Sequence, residues 1–228
     1  MRPGGGRCLH RRNVDLPRVR SGRSHRRASP RGRRGRRIMA KLCLVQTGQT
    51  TWEMDGRIES ANGSPLTDVG LKVAQVIACE LVTEEIGVIY ASDAEAEQQT
   101  AKTLAKELGV KIITHPNLRD MDYGLWQGLT IDEIKRRQPK LYKQWREQPA
   151  DACPPGGEPP AGAQQRLAKA VKAIAKRQKQ KHVAVVARPL VIGLLRCLLT
   201  QTDLSKLWQV VDPAFTWCSC DLDDTALP

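Results

Sequence analysis

A short apolar run, Leu42 to Val45, delivers Gln46-Thr47-Gly48-Gln49-Thr50-Thr51-Trp52 to its carboxyl end. In open α/β sheets ligands gather at the carboxyl ends of strands, so these polar residues stand where chemistry would be done. A threonine hydroxyl such as that of Thr47 attacks only with a base beside it. Asp120 and Asp122 lie two residues apart and could share a cation. No third ligand follows them, and two acids in one loop are usually just solvated, so no metal and no cofactor is expected. His115 precedes a proline and His182 opens a β-like run; both read as structural or surface histidines. Seven cysteines at irregular spacings, with no secretory signal before them, read as reduced thiols of a cytoplasmic protein. Cys218 and Cys220 would share one face of a strand without further ligands nearby. Cys197 reads as a small buried hydrophobe.

The elements that must position these residues alternate between two periods. Lys41–Gln46, Ile86–Tyr90, Lys111–Thr114 and His182–Val186 read as buried strands, with Phe215–Cys220 a last one. Between them lie apolar stripes at helical spacing. Val69, Val73, Val76/Ile77 and Leu81 form the first, entered through Pro65-Leu66-Thr67 with Thr67 as N-cap. Ala101, Leu104/Ala105 and Leu108 form the second, closed by Gly109. Ile131, Ile134, Leu141 and Trp145 suggest a third, and Leu167, Ala170/Val171 and Ile174 a fourth on a Lys-rich helix whose charges are its wet face. A Pro/Gly loop, Gln148 to Gly162, separates the last two. Trp126-Gln127-Gly128 reads as a packing corner. Strands alternating with helices predict a three-layer α/β/α sandwich with a mostly parallel sheet.

Charge divides the chain in two. The 228 residues carry 37 Lys+Arg and 24 Asp+Glu, a net +13. The first 37 residues alone hold 14 Arg, no Lys and one acid, Asp15, which leaves 23 of each sign in the remaining 191. A basic globular domain is therefore excluded. Residues 1–38 cannot bury enough apolar surface to offset their ordering entropy and are expected to be disordered, ahead of one domain over 39–228. Three readings of the Arg-rich stretch stand: a nucleic-acid arm, a transit peptide, or untranslated sequence upstream of a start at Met39. The third is preferred, because the body switches abruptly to 14 Lys against nine Arg. The longest apolar run, Val183 to Leu199, is broken by Arg188, Pro189 and Arg196, so no membrane span is expected.

Read in order, the motifs resemble the histidine phosphatase (phosphoglycerate mutase-like) superfamily. The resemblance starts where that family has a strand running into Arg-His-Gly-Glu-Thr-x-Trp. It continues through Gly56-Arg57, Pro65-Leu66-Thr67 with Gly70, Ile89-Tyr90-Ala91-Ser92-Asp93 with Gln99-Thr100-Ala101, and Leu118-Arg119-Asp120-Met121-Asp122-Tyr123-Gly124-Leu125-Trp126-Gln127-Gly128. Pro155-Gly156-Gly157-Glu158 and Val183-Ala184-Val185-Val186 complete it, so Lys41 to roughly Leu195 is covered. The resemblance implies a phosphohistidine route: a His attacks phosphorus, two Arg and a second His neutralise the equatorial oxygens, and a Glu protonates the leaving oxygen.

At those positions this sequence differs. Gln46 stands for the first Arg, Thr47 for the nucleophilic His, Ala96 (between Glu95 and Glu97) for the second Arg, and Arg188 for the second His; Asp120 is a shortened acid. Each missing preorganised donor costs ~3–4 kcal/mol of transition-state stabilisation. The expectation is a pseudo-phosphatase whose old cleft, through Arg188, Asp120, Arg57, Thr47 and Gln46, binds a small molecule or protein segment. In that role Arg188 would anchor a carboxylate; otherwise it pairs inertly with Asp120 or Glu97. The alternative is an active phosphomonoesterase or phosphoglycerate mutase-like phosphotransferase in which Thr47 attacks with Asp120 as base. A homodimer stays open, and nucleic acid enters as a partner only through the 1–38 stretch.

Overall fold

The computed structural model describes residues 41–178 and 181–221, so the Arg-rich stretch lies outside the described residues. Five strands form one sheet: β1 (Lys41–Gln46), β2 (Ile86–Ala91), β3 (Ile112–Thr114), β4 (His182–Ala187) and β5 (Trp217–Asp221), in the order β3-β2-β4-β1-β5. All neighbours are parallel except β5, which runs antiparallel to β1 at the edge. Leu42 to Val45 and Val183 to Val186 are wholly buried because helices cover both faces, which explains their unbroken apolar runs.

One face packs against α2 (Asp68–Leu81) and α3 (Glu95–Leu108); the other packs against α6 (Pro160–Arg177) and α7 (Pro189–Leu199). Shorter helices α1 (Thr51–Met54), α4 (Ile131–Arg137), α5 (Pro139–Glu147) and α8 (Leu207–Val210) are the remaining α-helices of the described residues. The sandwich is as expected. Thr67 caps α2, its Oγ1 accepting from the Gly70 N–H at 3.0 Å. Proline at the first position of α6 and of α7 fits a helix start, where no partner is needed for the absent N–H.

Two expectations are corrected. Of the stripe Val69, Val73, Val76/Ile77 and Leu81, Ile77 and Leu81 face the core but the three valines do not, at 59, 37 and 52% exposed. The buried side of α2 is Gly70, Ala74, Ile77, Ala78 and Leu81. Small residues lie inward because the helix start presses backbone on backbone against the β1–α1 loop. A Cβ on Gly70 would stand 2.2 Å from the Gln49 carbonyl oxygen, and one on Gly48 2.3 Å from that of Gly70. The second correction concerns the third stripe, which is two helices, α4 and α5. Gln138 leaves the helical region ahead of Pro139, as a residue before proline tends to do.

Candidate functional site

The register that sets Gln46 beside Ala187 carries the next two residues, Thr47 and Arg188, to the same end of the sheet. The Thr47 N–H donates to the Ala187 carbonyl at 3.0 Å. β2 runs into the start of α3, bringing Ala96 and Glu97, both without exposed surface. The loop after β3 brings Asp120. Gln46, Thr47, Ala96, Asp120 and Arg188 are thus delivered by separate elements to one end of the sheet.

Arg188 precedes α7 and is 4% exposed. Its Nη2 donates to Glu53 Oε1 at 2.8 Å and lies 3.2 Å from Glu59 Oε1. The sequence points instead to Asp120 or Glu97 as partner, but among the described residues the ion pairs of Arg188 are with Glu53 and Glu59. Glu53 belongs to a capping box: its Oε2 accepts from the Thr50 N–H at 3.1 Å while Thr50 Oγ1 accepts from the Glu53 N–H. The Thr50-x-x-Glu53 spacing is the signal that could have found it. Glu59 Oε1 also accepts from Ser64 Oγ at 2.9 Å and from Thr50 Oγ1. No local pattern marks Glu59.

The remaining groups are poorly served. Thr47 Oγ1 has no hydrogen-bond partner, so no base reaches the one candidate nucleophile. Both Glu97 carboxylate oxygens are buried and without a partner in hydrogen-bonding geometry, although Ser92 and the residue's own N–H are close enough to lower its pKa. Burial therefore pushes the Glu97 carboxyl up, against the pull of Arg188. Asp120 Oδ1 accepts only from its neighbour's N–H, Met121, at 2.8 Å. Burial raises this carboxyl to about 7, with Arg188 opposing and Glu97 adding. Burial works against the Arg188 charge, yet Glu53, Asp120, Glu59 and Glu97 together hold its pKa above the ordinary value. Four carboxylates surround one cation.

Other candidates lie apart. The exposed Arg57 guanidinium donates to the Gly128 carbonyl at 2.8 Å. Glu95 is exposed and accepts from Gln99. Asp122 Oδ1 accepts from the Gly124 N–H and from Gln127 Nε2, both within 2.9 Å. His115 Nδ1 caps a short turn by accepting from Asn117, and His182 Nδ1 lies 2.7 Å from the Glu84 carbonyl. No group of three or more metal-ligating side chains converges among the described residues. Asp120 itself is held by Arg166, which donates to the carbonyls of Asn117, Arg119 and Asp120 and pairs with Glu158.

The raised Asp120 carboxyl predicts a pH signature. Its folded-state pKa of about 7 exceeds the unfolded 3.8, so the folded protein holds this proton more tightly. Stability from this group is fully present below pH 4 and lost as pH rises to 7. Asp120→Asn is expected to stabilise by about 1–3 kcal/mol at pH 8, yet change little at pH 4. Urea midpoints at the two pH values check it; equal shifts would place Asp120 in contact with water.

The family model for the histidine phosphatase superfamily (branch 1) matches residues 42–226. "Phosphoserine phosphatase 1" of Hydrogenobacter thermophilus is 29% identical over 170 residues, 75% of this chain and 81% of its own. "Probable phosphoglycerate mutase GpmB" of Photorhabdus laumondii is 30% identical over 164 residues, 71% and 74% of the two chains. Among solved structures, Bacillus stearothermophilus YhfR superposes with a TM-score of 0.76 at 27% identity, covering 81% of this chain and 92% of that one.

Proposed function

We propose that this chain, which belongs to branch 1 of the histidine phosphatase superfamily, is a pseudo-phosphatase that uses the fold for binding or regulation. The observation that carries this reading is the state of Arg188. This cation, which follows β4 directly, is already engaged by Glu53 and Glu59, with Glu97 and Asp120 beside it. A phosphate dianion there would meet net negative charge. Gln46 and Ala96 supply no compensating cation, and Thr47 has neither an imidazole nor a base on its hydroxyl. Phosphoryl transfer draws its catalysis from charge stabilisation, and here the sign of that charge is reversed.

A second reading, an active phosphomonoesterase or phosphomutase, is favoured by two observations. The relatives are named as a phosphoserine phosphatase and a phosphoglycerate mutase. Asp120, with its carboxyl raised to about 7, would hold a proton for a leaving oxygen near neutrality.

Cys43, Cys79, Cys153, Cys197 and Cys218 are free thiols, which supports placement in the reducing cytoplasm. No helix among the described residues is long and apolar enough to cross a membrane.

Phosphate release from a broad panel of phosphomonoesters, phosphoserine and phosphoglycerate included, separates the two readings. The pseudo-phosphatase reading expects no release above that of a Thr47→Ala control. Turnover abolished by Thr47→Ala would overturn it and make Thr47 the nucleophile.

A further inference from the structure

The buried polar atoms left without partners are concentrated at one place. Among the described residues they are Thr47 Oγ1, Glu59 Oε2, both Glu97 oxygens, Thr100 Oγ1, Arg188 Nε and Nη1, and, elsewhere, Arg196 Nε. All but the last belong to the strand-end cluster or lie one turn further along α3. Folded proteins leave few such groups, and each unsatisfied one costs free energy in a low-dielectric setting. A concentration of them on residues nine-tenths buried describes the complement of a ligand.

The inventory defines that complement. Glu59 Oε2 and the two Glu97 oxygens are acceptors that need donors; Arg188 Nε and Nη1 are donors on two sides of the guanidinium, each in need of an acceptor; Thr47 and Thr100 can serve either way. A phosphate ester brings acceptors almost exclusively, which would face three unpaired carboxylate oxygens. A divalent cation lacks the converging ligands. An ammonium group brings three donors, and an oxygen two or three bonds away from it would accept from one of the free Arg188 donors.

We infer that the strand-end cluster binds a small organic ammonium compound carrying one acceptor oxygen, an amino alcohol or amino acid. The ligand is small because Gln46 and Thr47 are each only 6% exposed and Glu97 is closed off, while the half-buried Asp120 marks the side of entry. This deepens the preceding reading and rests on the cluster binding rather than turning over phosphate esters.

The test is thermal unfolding of the full chain at constant ionic strength with ethanolamine, glycine, n-propylamine and inorganic phosphate as probes. Ethanolamine or glycine is expected to raise the midpoint saturably. Propylamine, which lacks the acceptor, is expected to act more weakly, and phosphate to have no effect. Glu97→Gln keeps the shape of the side chain and is expected to weaken the amine about tenfold, the scale of one charge-assisted hydrogen bond. Thr47→Val gives a second variant with an unchanged charge count and a smaller expected loss. A shift with phosphate but not with amines would overturn the inference, as would no shift with any probe. The phosphate-release panel run in parallel keeps the two failures apart. Turnover together with amine binding would sink the pseudo-phosphatase reading alone, and no turnover with no amine shift would sink the ligand alone.

Discussion

Arg188→Ala is expected to destabilise the protein by about 3–5 kcal/mol at pH 8, the scale of breaking a buried ion pair by removing one partner. The loss is not mainly that of two contacts. Arg188 is 4% exposed and Glu59 5%, so its removal leaves Glu59 buried without its counter-charge and deprives Glu97 and Asp120 of the strongest of the influences that lower their pKa values. The penalty belongs to ionised carboxylates, and it shrinks as they take up protons. At pH 5 the same substitution should cost markedly less. Replacing the pair rather than one member, with Arg188→Met and Glu59→Gln together, should recover part of the loss, because a buried pair exchanged for neutral groups of similar volume is often tolerated. Denaturant midpoints at pH 5 and 8 for the three proteins provide the measurement. A pH-independent loss would mean that Arg188 contributes packing alone.

That network also marks how far the sequence could be read. The strands, the Thr67 cap and the sheet's parallel character were legible because each is written in a local pattern: an apolar run, a hydroxyl before a helix, strands alternating with helical stripes. The strand-end positions of Thr47 and Arg188 followed from motif order. The partners of Arg188 did not, because Arg188 meets Glu53 across 135 residues of sequence and Glu59 across 129, and no periodicity encodes such a contact. Glu53 had a local role, as the acid of a capping box, which concealed the distant one. The α2 stripe misled for a related reason. Apolar side chains normally mark the buried face, but where backbones approach this closely the inward residues must be small, and the valines are displaced outward. Pattern reading weighs hydrophobicity and cannot see the distance between elements.

Distance again decides the consequence of altering the loop that holds Asp120. Gly124 has φ +50, and a Cβ there would lie 2.3 Å from the Pro155 carbonyl oxygen and 2.5 Å from the Gly157 nitrogen. Both obstacles are backbone and cannot rotate away. Gly157 is equally tight against the Asp122 carbonyl, at 2.3 Å, so the two loops are locked face to face. Gly124→Ala is therefore expected to cost upwards of about 4 kcal/mol, a large part of a typical domain's stability. Gly156 supplies the control: its φ is +71, with nothing within 4 Å of a Cβ. Gly156→Ala incurs only left-handed strain, about 1 kcal/mol. The two substitutions share the backbone penalty and differ in the clash, so the gap between their urea midpoints measures the clash alone. Separating the loops would also strain the Asp122–Glu158 hydrogen bonds and, through Glu158, the Arg166 clamp on the Asp120 carbonyl. A Gly124→Ala protein that still folds should therefore lose the pH-dependent contribution of Asp120 as the carboxyl gains access to water. Equal costs for the two glycines would show that the loops part freely and that Asp120 is not held by this contact.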